Sequence, residues 1–289
     1  MKTRVIKLFD VITLVEHLCI EANCVMTSDI KRCLEKQAKE DKSMLGRDIL
    51  NTLLQNAEIA QTESSPMCQD TGMTVVFVRV GQDVIFDGGF IGDAINQGVR
   101  QGYEKGFLRK SVVSDPLKRI NTNDNTPAVI HYDVVAGDEL TITVAPKGFG
   151  SENKSQLKML TPSQGLQGVK DFILDVISEA GANPCPPIIV GVGIGGTMER
   201  CAYLAKKALL REVGSINSDE QLASLEKDLL AQINQLGIGP AGFGGSTTAM
   251  AVHIITEATH IAGLPVAVNI GCHATRHAEG KLQEENYVR

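Results

Sequence analysis

Three of the seven cysteines constrain this chain more than any other feature. Cys68, Cys185 and Cys272 each stand at the boundary of a strand-like run, in a turn rich in Pro, Gly or polar residues. Cys68 opens Cys68-Gln69-Asp70-Thr71-Gly72, behind Ser64-Ser65-Pro66 and ahead of the apolar run Met73 to Val80. Cys185 sits among prolines in Asn183-Pro184-Cys185-Pro186-Pro187, which stiffens the backbone and removes amide donors. It leads into Ile188 to Val192. Cys272 follows the strand-like Val266 to Ile270 and begins Cys272-His273-Ala274-Thr275-Arg276-His277. The spacings are long, 117 residues (185 minus 68) and 87 (272 minus 185). A fold that uses the three thiols together has to bring distant strand ends to one place. Cys19, Cys24, Cys33 and Cys201 lie in helical stretches, where a thiol is expected to pack as a small hydrophobe.

Composition narrows the class. The 289 residues are 43% hydrophobic and 21% charged, which describes a soluble globular chain. A net charge of -6 argues against a general nucleic-acid binder. It leaves room for an anionic small substrate, because a few Arg or Lys residues dominate one cleft. There is no CxxC and no regular cysteine spacing, so a disulfide framework is not expected and a reducing, cytoplasmic setting is. Lys7, Asp10, Glu16 and His17 interrupt what would be a signal-peptide core. No apolar run approaches the roughly 18 residues of a membrane span.

Hydrophobic period predicts the elements. Val11, Ile12, Val15, Leu18, Cys19 and Ala22 share one face of a helix over 8–22. Ser28 and Ser43 are expected to cap two more, the second reaching about residue 61. Ile91 to Lys110 reads as a helix with a basic end, of which Arg109 is kept as a candidate ligand. Asn121 to Pro127 is dense in turn formers. Ala128–Val135 and Glu139–Ala145 around Ala136-Gly137-Asp138 read as a β-hairpin. The glycines of Lys147 to Lys154 would let backbone approach a ligand. Ser163 and Gly181 bound a further helix, and helices follow over 198–210 and 218–235. Gly191-Val-Gly193-Ile-Gly195-Gly196 matches GxGxxG, but no strand ending in an acidic residue follows, so an anion site at a helix start is the better expectation. The fold class expected is mixed α/β (α+β), as one domain over 1–289. Its helical N-terminal part (1–62) packs on a mixed sheet built from Met73–Val80, the hairpin, Ile188–Val192 and Val266–Ile270. A core (63–280) carries the cysteine turns at strand ends.

Three thiolates can hold an iron–sulfur cluster, which usually takes four, and would then leave one iron open. An open iron offers Lewis-acid chemistry toward a hydroxyl or carboxylate, as an open zinc position does. Two other readings stand beside it: a zinc enzyme using Cys272 with His273 or His277, and a non-catalytic subunit whose glycine-rich loops bind an anion.

Several motifs taken together resemble one family. Cys68-Gln69-Asp70-Thr71-Gly72, Phe107-Leu108-Arg109-Lys110-Ser111, Asn121 to Ala128, Lys147 to Lys154, Cys185-Pro186-Pro187, Gly195-Gly196-Thr197, and His260 twelve residues before Cys272 resemble the class I, iron–sulfur fumarate hydratases, in order from about residue 40 to 280. The resemblance implies a [4Fe-4S] cluster on Cys68, Cys185 and Cys272, with the open iron binding the substrate's hydroxyl and a carboxylate oxygen. It implies that Asp70 is the acid that protonates the departing hydroxide. Gln69, Arg109, His260 and the backbone around Gly150 would contact the carboxylates of a small dicarboxylate substrate. One-chain members of the family continue into a second domain that carries a threonine-type base. This sequence has 17 residues after Cys272 (289 minus 272), so it looks like the α subunit of the two-subunit form. A separate β subunit would then complete the site, in an α2β2-type assembly. Fumarate and L-malate are the expected pair, with L-tartrate dehydratase and mesaconate hydratase α subunits as the alternatives.

Overall fold

The computed structural model describes residues 3–282 and 287–288. In chain order the elements are β1 (Thr3–Lys7), α1 (Leu8–Cys24), α2 (Ser28–Glu40), α3 (Met44–Glu63), β2 (Met73–Gly81), β3 (Val84–Asp87) and α4 (Ile91–Lys105). Next come β4 (Val129–Val135), β5 (Leu140–Lys147), α5 (Phe149–Glu152), β6 (Gln156–Leu160), α6 (Gly165–Ala180) and β7 (Ile188–Gly196). The chain continues through α7 (Met198–Ala208), α8 (Glu220–Gln235), β8 (Ala249–Thr259), β9 (Leu264–Gly271), β10 (Ala278–Leu282) and β11 (Tyr287–Val288). The α+β class expected from the sequence is the class observed. Among the described residues, no helix is long and apolar enough to cross a membrane.

Two compact units form, each with its own core. The first comprises the described residues of Met1–Met26, Ala57–Lys147 and Arg276–Arg289. Its four-stranded sheet has the order β10-β5-β2-β4, and a smaller one runs β11-β1-β3. Val11, Val15 and Leu18 of α1 and Ile95, Val99 and Tyr103 of α4 pack on Val76 and Val78 of β2 and Ile142 and Val144 of β5. The period read for α1 is therefore the buried face, with Cys19 wholly inside it.

The second unit comprises Thr27–Asn56 and Gly148–Thr275. Its sheet has the order β6-β9-β7-β8. Val169, Phe172, Ile173, Val176 and Ile177 of α6 and Leu225, Leu229 and Ile233 of α8 pack on one face, against Ile188, Val190 and Val192 of β7. Cys201 and Ala205 of α7 pack with Ala267 of β9.

Five expectations are corrected. A single sheet was expected; the strands named belong instead to two separate four-stranded sheets. The hairpin does not form, because β2 lies between its two arms, parallel to β4 and antiparallel to β5. The mostly buried β2, with Thr74 to Val78 inside the core, takes the central place, while β4, half-exposed along its length, takes the edge. The glycine run is not a loop: strand β7 continues through Gly196. A Cβ on Gly191 would lie 2.2 Å from the Ala205 carbonyl oxygen, and one on Gly193 equally close to that of Cys201. Alternate glycines therefore let α7 lie against the strand. The helix expected to reach Lys110 ends at Lys105, where Gly106 caps it and Phe107 takes a positive φ. Ser43 does cap α3, accepting from the Gly46 N–H at 3.1 Å, whereas α2 starts one residue after Thr27 rather than on a Ser28 cap. The five-residue strands β6 and β10 add to the set expected from the sequence.

Candidate functional site

Each of the three cysteines lies where a turn meets a strand. Cys68 precedes β2, Cys185 precedes β7, and Cys272 directly follows β9.

In the first unit the turn from Cys68 to Gly72 is held from several directions. Gly72 has φ +76, and a Cβ there would come within 2.7 Å of Lys147 backbone, so only glycine fits. The Asp70 carboxylate accepts from the Gly72 N–H at 3.0 Å. Thr71 is buried and its hydroxyl donates to the Arg109 carbonyl at 2.9 Å, tying the two candidate segments together. From α4 the buried Tyr103 hydroxyl reaches the carbonyls of Thr71 (2.8 Å) and Gly72 (3.1 Å). Burial pushes its phenol well above the usual range, so it stays a donor. Asn125 donates to the Gly72 carbonyl at 3.2 Å and accepts from the Ser111 N–H at 2.8 Å. Buried Arg276 donates through Nη2 to the Asp70 carbonyl. The Met67 N–H bonds to the Asn23 carbonyl at the end of α1, 3.0 Å away. This frame leaves Cys68 and Asp70 half-buried and the side chains of Gln69 and Arg109 exposed. A thiol, an amide, a carboxyl and a guanidinium are thus presented on rigid backbone.

In the second unit the structure brings the Cys185 and Cys272 turns together. Cys185 is exposed, with φ +53, and its N–H bonds to the Ala182 carbonyl at 3.0 Å. The Cys185 carbonyl receives the His273 N–H at 3.2 Å and faces the His273 ring Nδ1 at 3.0 Å. The Cys272 carbonyl is held by the Thr275 N–H (2.9 Å) and hydroxyl (2.7 Å). Gly150, in the single turn α5, lies beside the same region; a Cβ on it would stand 3.8 Å from the Asn183 carbonyl oxygen. The turn is tethered through Glu152 to Asn269 of β9 (2.8 Å) and Lys206 of α7 (2.5 Å). His260 follows β8 as an exposed side chain, its Nδ1 accepting from the Ala262 N–H at 3.2 Å.

The donor set fits a thiolate-bound cluster by its chemistry. Cys68 and Cys272 are half-buried and Cys185 is exposed. By contrast, burial pushes up the thiols of Cys19 and Cys24, and holds those of Cys33 and Cys201 at about 11. The turn cysteines are thus accessible, as a metal-binding thiol has to be. Among the described residues, no three His, Cys, Asp or Glu side chains are gathered into a metal-holding set. The residues that sequence reading missed are Tyr103, Asn125 and Arg276. Asn125 and Arg276 lay inside quoted motifs, but nothing local marked them as supports of the Cys68–Gly72 turn.

Comparison with known proteins adds an independent line. A family model described as Fumarate hydratase (Fumerase) matches residues 12–281. The putative L(+)-tartrate dehydratase subunit alpha of Methanocaldococcus jannaschii is 42% identical over 283 residues, covering 96% of this chain and 98% of that one. The L(+)-tartrate dehydratase subunit alpha of Escherichia coli (strain UTI89 / UPEC) is 36% identical over 262 residues, 89% of this chain and 85% of that one.

Proposed function

The chain belongs to the fumarate hydratase (Fumerase) family, a family of hydro-lyases, and from that premise we propose that it is the α subunit of an iron–sulfur enzyme interconverting fumarate and L-malate. The observation that carries this reading is the Cys68–Gly72 turn, where thiol, amide and carboxyl stand side by side on a backbone fixed by buried donors. Cys68, Cys185 and Cys272 would hold a [4Fe-4S] cluster, which when bound supplies Lewis acidity toward a hydroxyl and a neighbouring carboxylate.

The chain's own residues do the rest. Asp70 acts as general acid: as the C2–O bond of malate breaks and the oxygen keeps the electron pair, the Asp70 carboxyl gives its proton to that oxygen and water leaves. Arg109 binds a substrate carboxylate through two parallel N–H donors, and Gln69 donates beside it. His260 and the backbone at Gly150 bind the other end of the dicarboxylate. A base that removes the C3 proton comes from a separate β subunit, a reading supported by the "subunit alpha" names of the relatives. The assembly proposed is α2β2, with residues 1–289 acting as one hydro-lyase domain in a reducing, cytoplasmic compartment.

A second reading is L-tartrate as substrate, favoured by the names of the same relatives. It is the same elimination with a hydroxyl on C3. The loop Gly148-Phe-Gly-Ser-Glu-Asn-Lys154 resembles the fumarase form and supports malate. The test is to coexpress the chain with its β subunit without oxygen, assay iron and acid-labile sulfide, and compare kcat/KM on malate and L-tartrate. A higher value on tartrate overturns the substrate. Absence of iron and sulfide, even after reconstitution with the partner present, overturns the mechanism.

A further inference from the structure

Strand β4 ends the four-stranded sheet of the first unit, and among the described residues no strand pairs with its far edge. Seven consecutive positions, Val129 to Val135, run in register with β2 without a bulge. The Val135 carbonyl accepts from the Gln82 N–H at 2.8 Å. Backbone groups alternate sides along a strand, so the odd-numbered residues bond toward β2 and those of Ile130, Tyr132 and Val134 point away. Of these outward residues Tyr132 is 44% and Val134 71% exposed. Natural sheets blunt such an edge with Lys, Pro, a bulge or inward charge. Within β4 there is no Lys, no Pro and no bulge, and its one acidic residue, Asp133, has His131 two residues away as a counterpart in an antiparallel pairing.

Val-Ile-His-Tyr-Asp-Val-Val is self-complementary when laid antiparallel on a second copy about Tyr132. Val129 then faces Val135 of the other copy, Ile130 faces Val134, His131 faces Asp133, and Tyr132 faces Tyr132. Each match is apolar on apolar, aromatic on aromatic, or donor on acidic acceptor, the pairs that stabilise antiparallel ladders. The register is also the one the free backbone groups require: Ile130, Tyr132 and Val134 become the hydrogen-bonded positions, exchanging both bonds with their opposite numbers. A two-fold contact of this kind is closed and does not propagate into a fibre. We propose that β4 pairs with β4 of a second copy of this chain, joining two four-stranded sheets into one of eight and forming the α–α contact of the assembly.

This deepens the α2β2 reading and rests on it for stoichiometry, so the experiment separates the two. The chain is purified alone and with its β subunit, and masses are measured by light scattering at tens of micromolar. Wild type alone is expected at twice the chain mass. Val134→Lys and Val134→Pro are expected to halve it, the first by setting a charge on the pairing edge and the second by removing an outward N–H. Circular dichroism checks that the variants fold, and Val134→Lys decides if Val134→Pro does not. With the partner present, the variants should give an αβ species that still holds β. An α2β2 complex that both folded variants leave intact overturns the edge contact while the assembly reading stands. A wild-type complex of αβ mass, with the chain alone monomeric, overturns both.

Discussion

Asp70 is placed by its neighbours rather than by its own environment. Its carboxylate accepts from the Gly72 N–H, its carbonyl from Arg276, and the next two carbonyls face Tyr103. As the proposed acid, Asp70→Asn should lower kcat about 10²- to 10⁴-fold with little change in KM and with iron and sulfide retained. A fully active variant would return the chain to the anion-binding reading. Tyr103→Phe tests placement. It strips a donor from buried carbonyls and should cost about 1–3 kcal/mol in urea unfolding. It should also lower kcat more than it raises KM, because the turn loosens without losing a group that touches substrate. The turn itself was legible in the sequence because its members are consecutive. Its supports were not: Arg276 stands 206 residues from Asp70, and no local pattern announces a contact at that distance.

Among the elements, β7 shows best how a pattern misleads. GxGxxG reads as a phosphate-binding loop, yet here the period is two and the strand continues. Even positions Ile188, Val190 and Val192 bury against α6 and α8, and odd positions Gly191 and Gly193 meet α7. Gly193→Ala would put a methyl 2.2 Å from the Cys201 carbonyl oxygen and 2.7 Å from the Ala205 nitrogen. Both are backbone atoms that cannot rotate away, so the variant should lose about 1–3 kcal/mol or more of stability, read from the urea midpoint. A midpoint unchanged from wild type would mean that α7 does not need the glycine. The hairpin expectation failed for a related reason. Turn chemistry at Ala136-Gly137-Asp138 is local, whereas the choice of β2 as the strand between the arms follows from which strand can bury both faces, as β2 does from Thr74 to Val78.

For the molecule as a whole, two behaviours follow. On the two-subunit reading, the chain alone should bind iron and sulfide but turn over malate at least about 100-fold more slowly than the complex, since acid and base must be placed together. Activity of the chain alone at the complex's rate would sink the two-subunit reading. Stability should also fall with acid in a defined window. His253 is buried on β8, and burial, with the charge of Arg211, lowers it from 6.5 to about 4. The unfolded chain takes up that proton first, so the contribution is complete above about pH 6.5 and is lost as pH falls to about 4. It is at most about 3 kcal/mol. His253→Leu should flatten the dependence of the urea midpoint on pH across that range; an unchanged slope would remove His253 as its source. What is local was readable along the chain: the helical faces of α1 and α6, the strand-end turns with their three cysteines, and the side chains of the Cys68–Gly72 turn. These depend on period, on Pro and Gly backbone limits, and on which residues are adjacent. Long-range packing fixed the rest: β2 separates β4 from β5, the glycine run is a strand under a helix, and Tyr103, Asn125 and Arg276 support the turn. Pairing and close packing depend on which surfaces compete for burial across the folded chain, and that competition is settled between residues far apart in sequence.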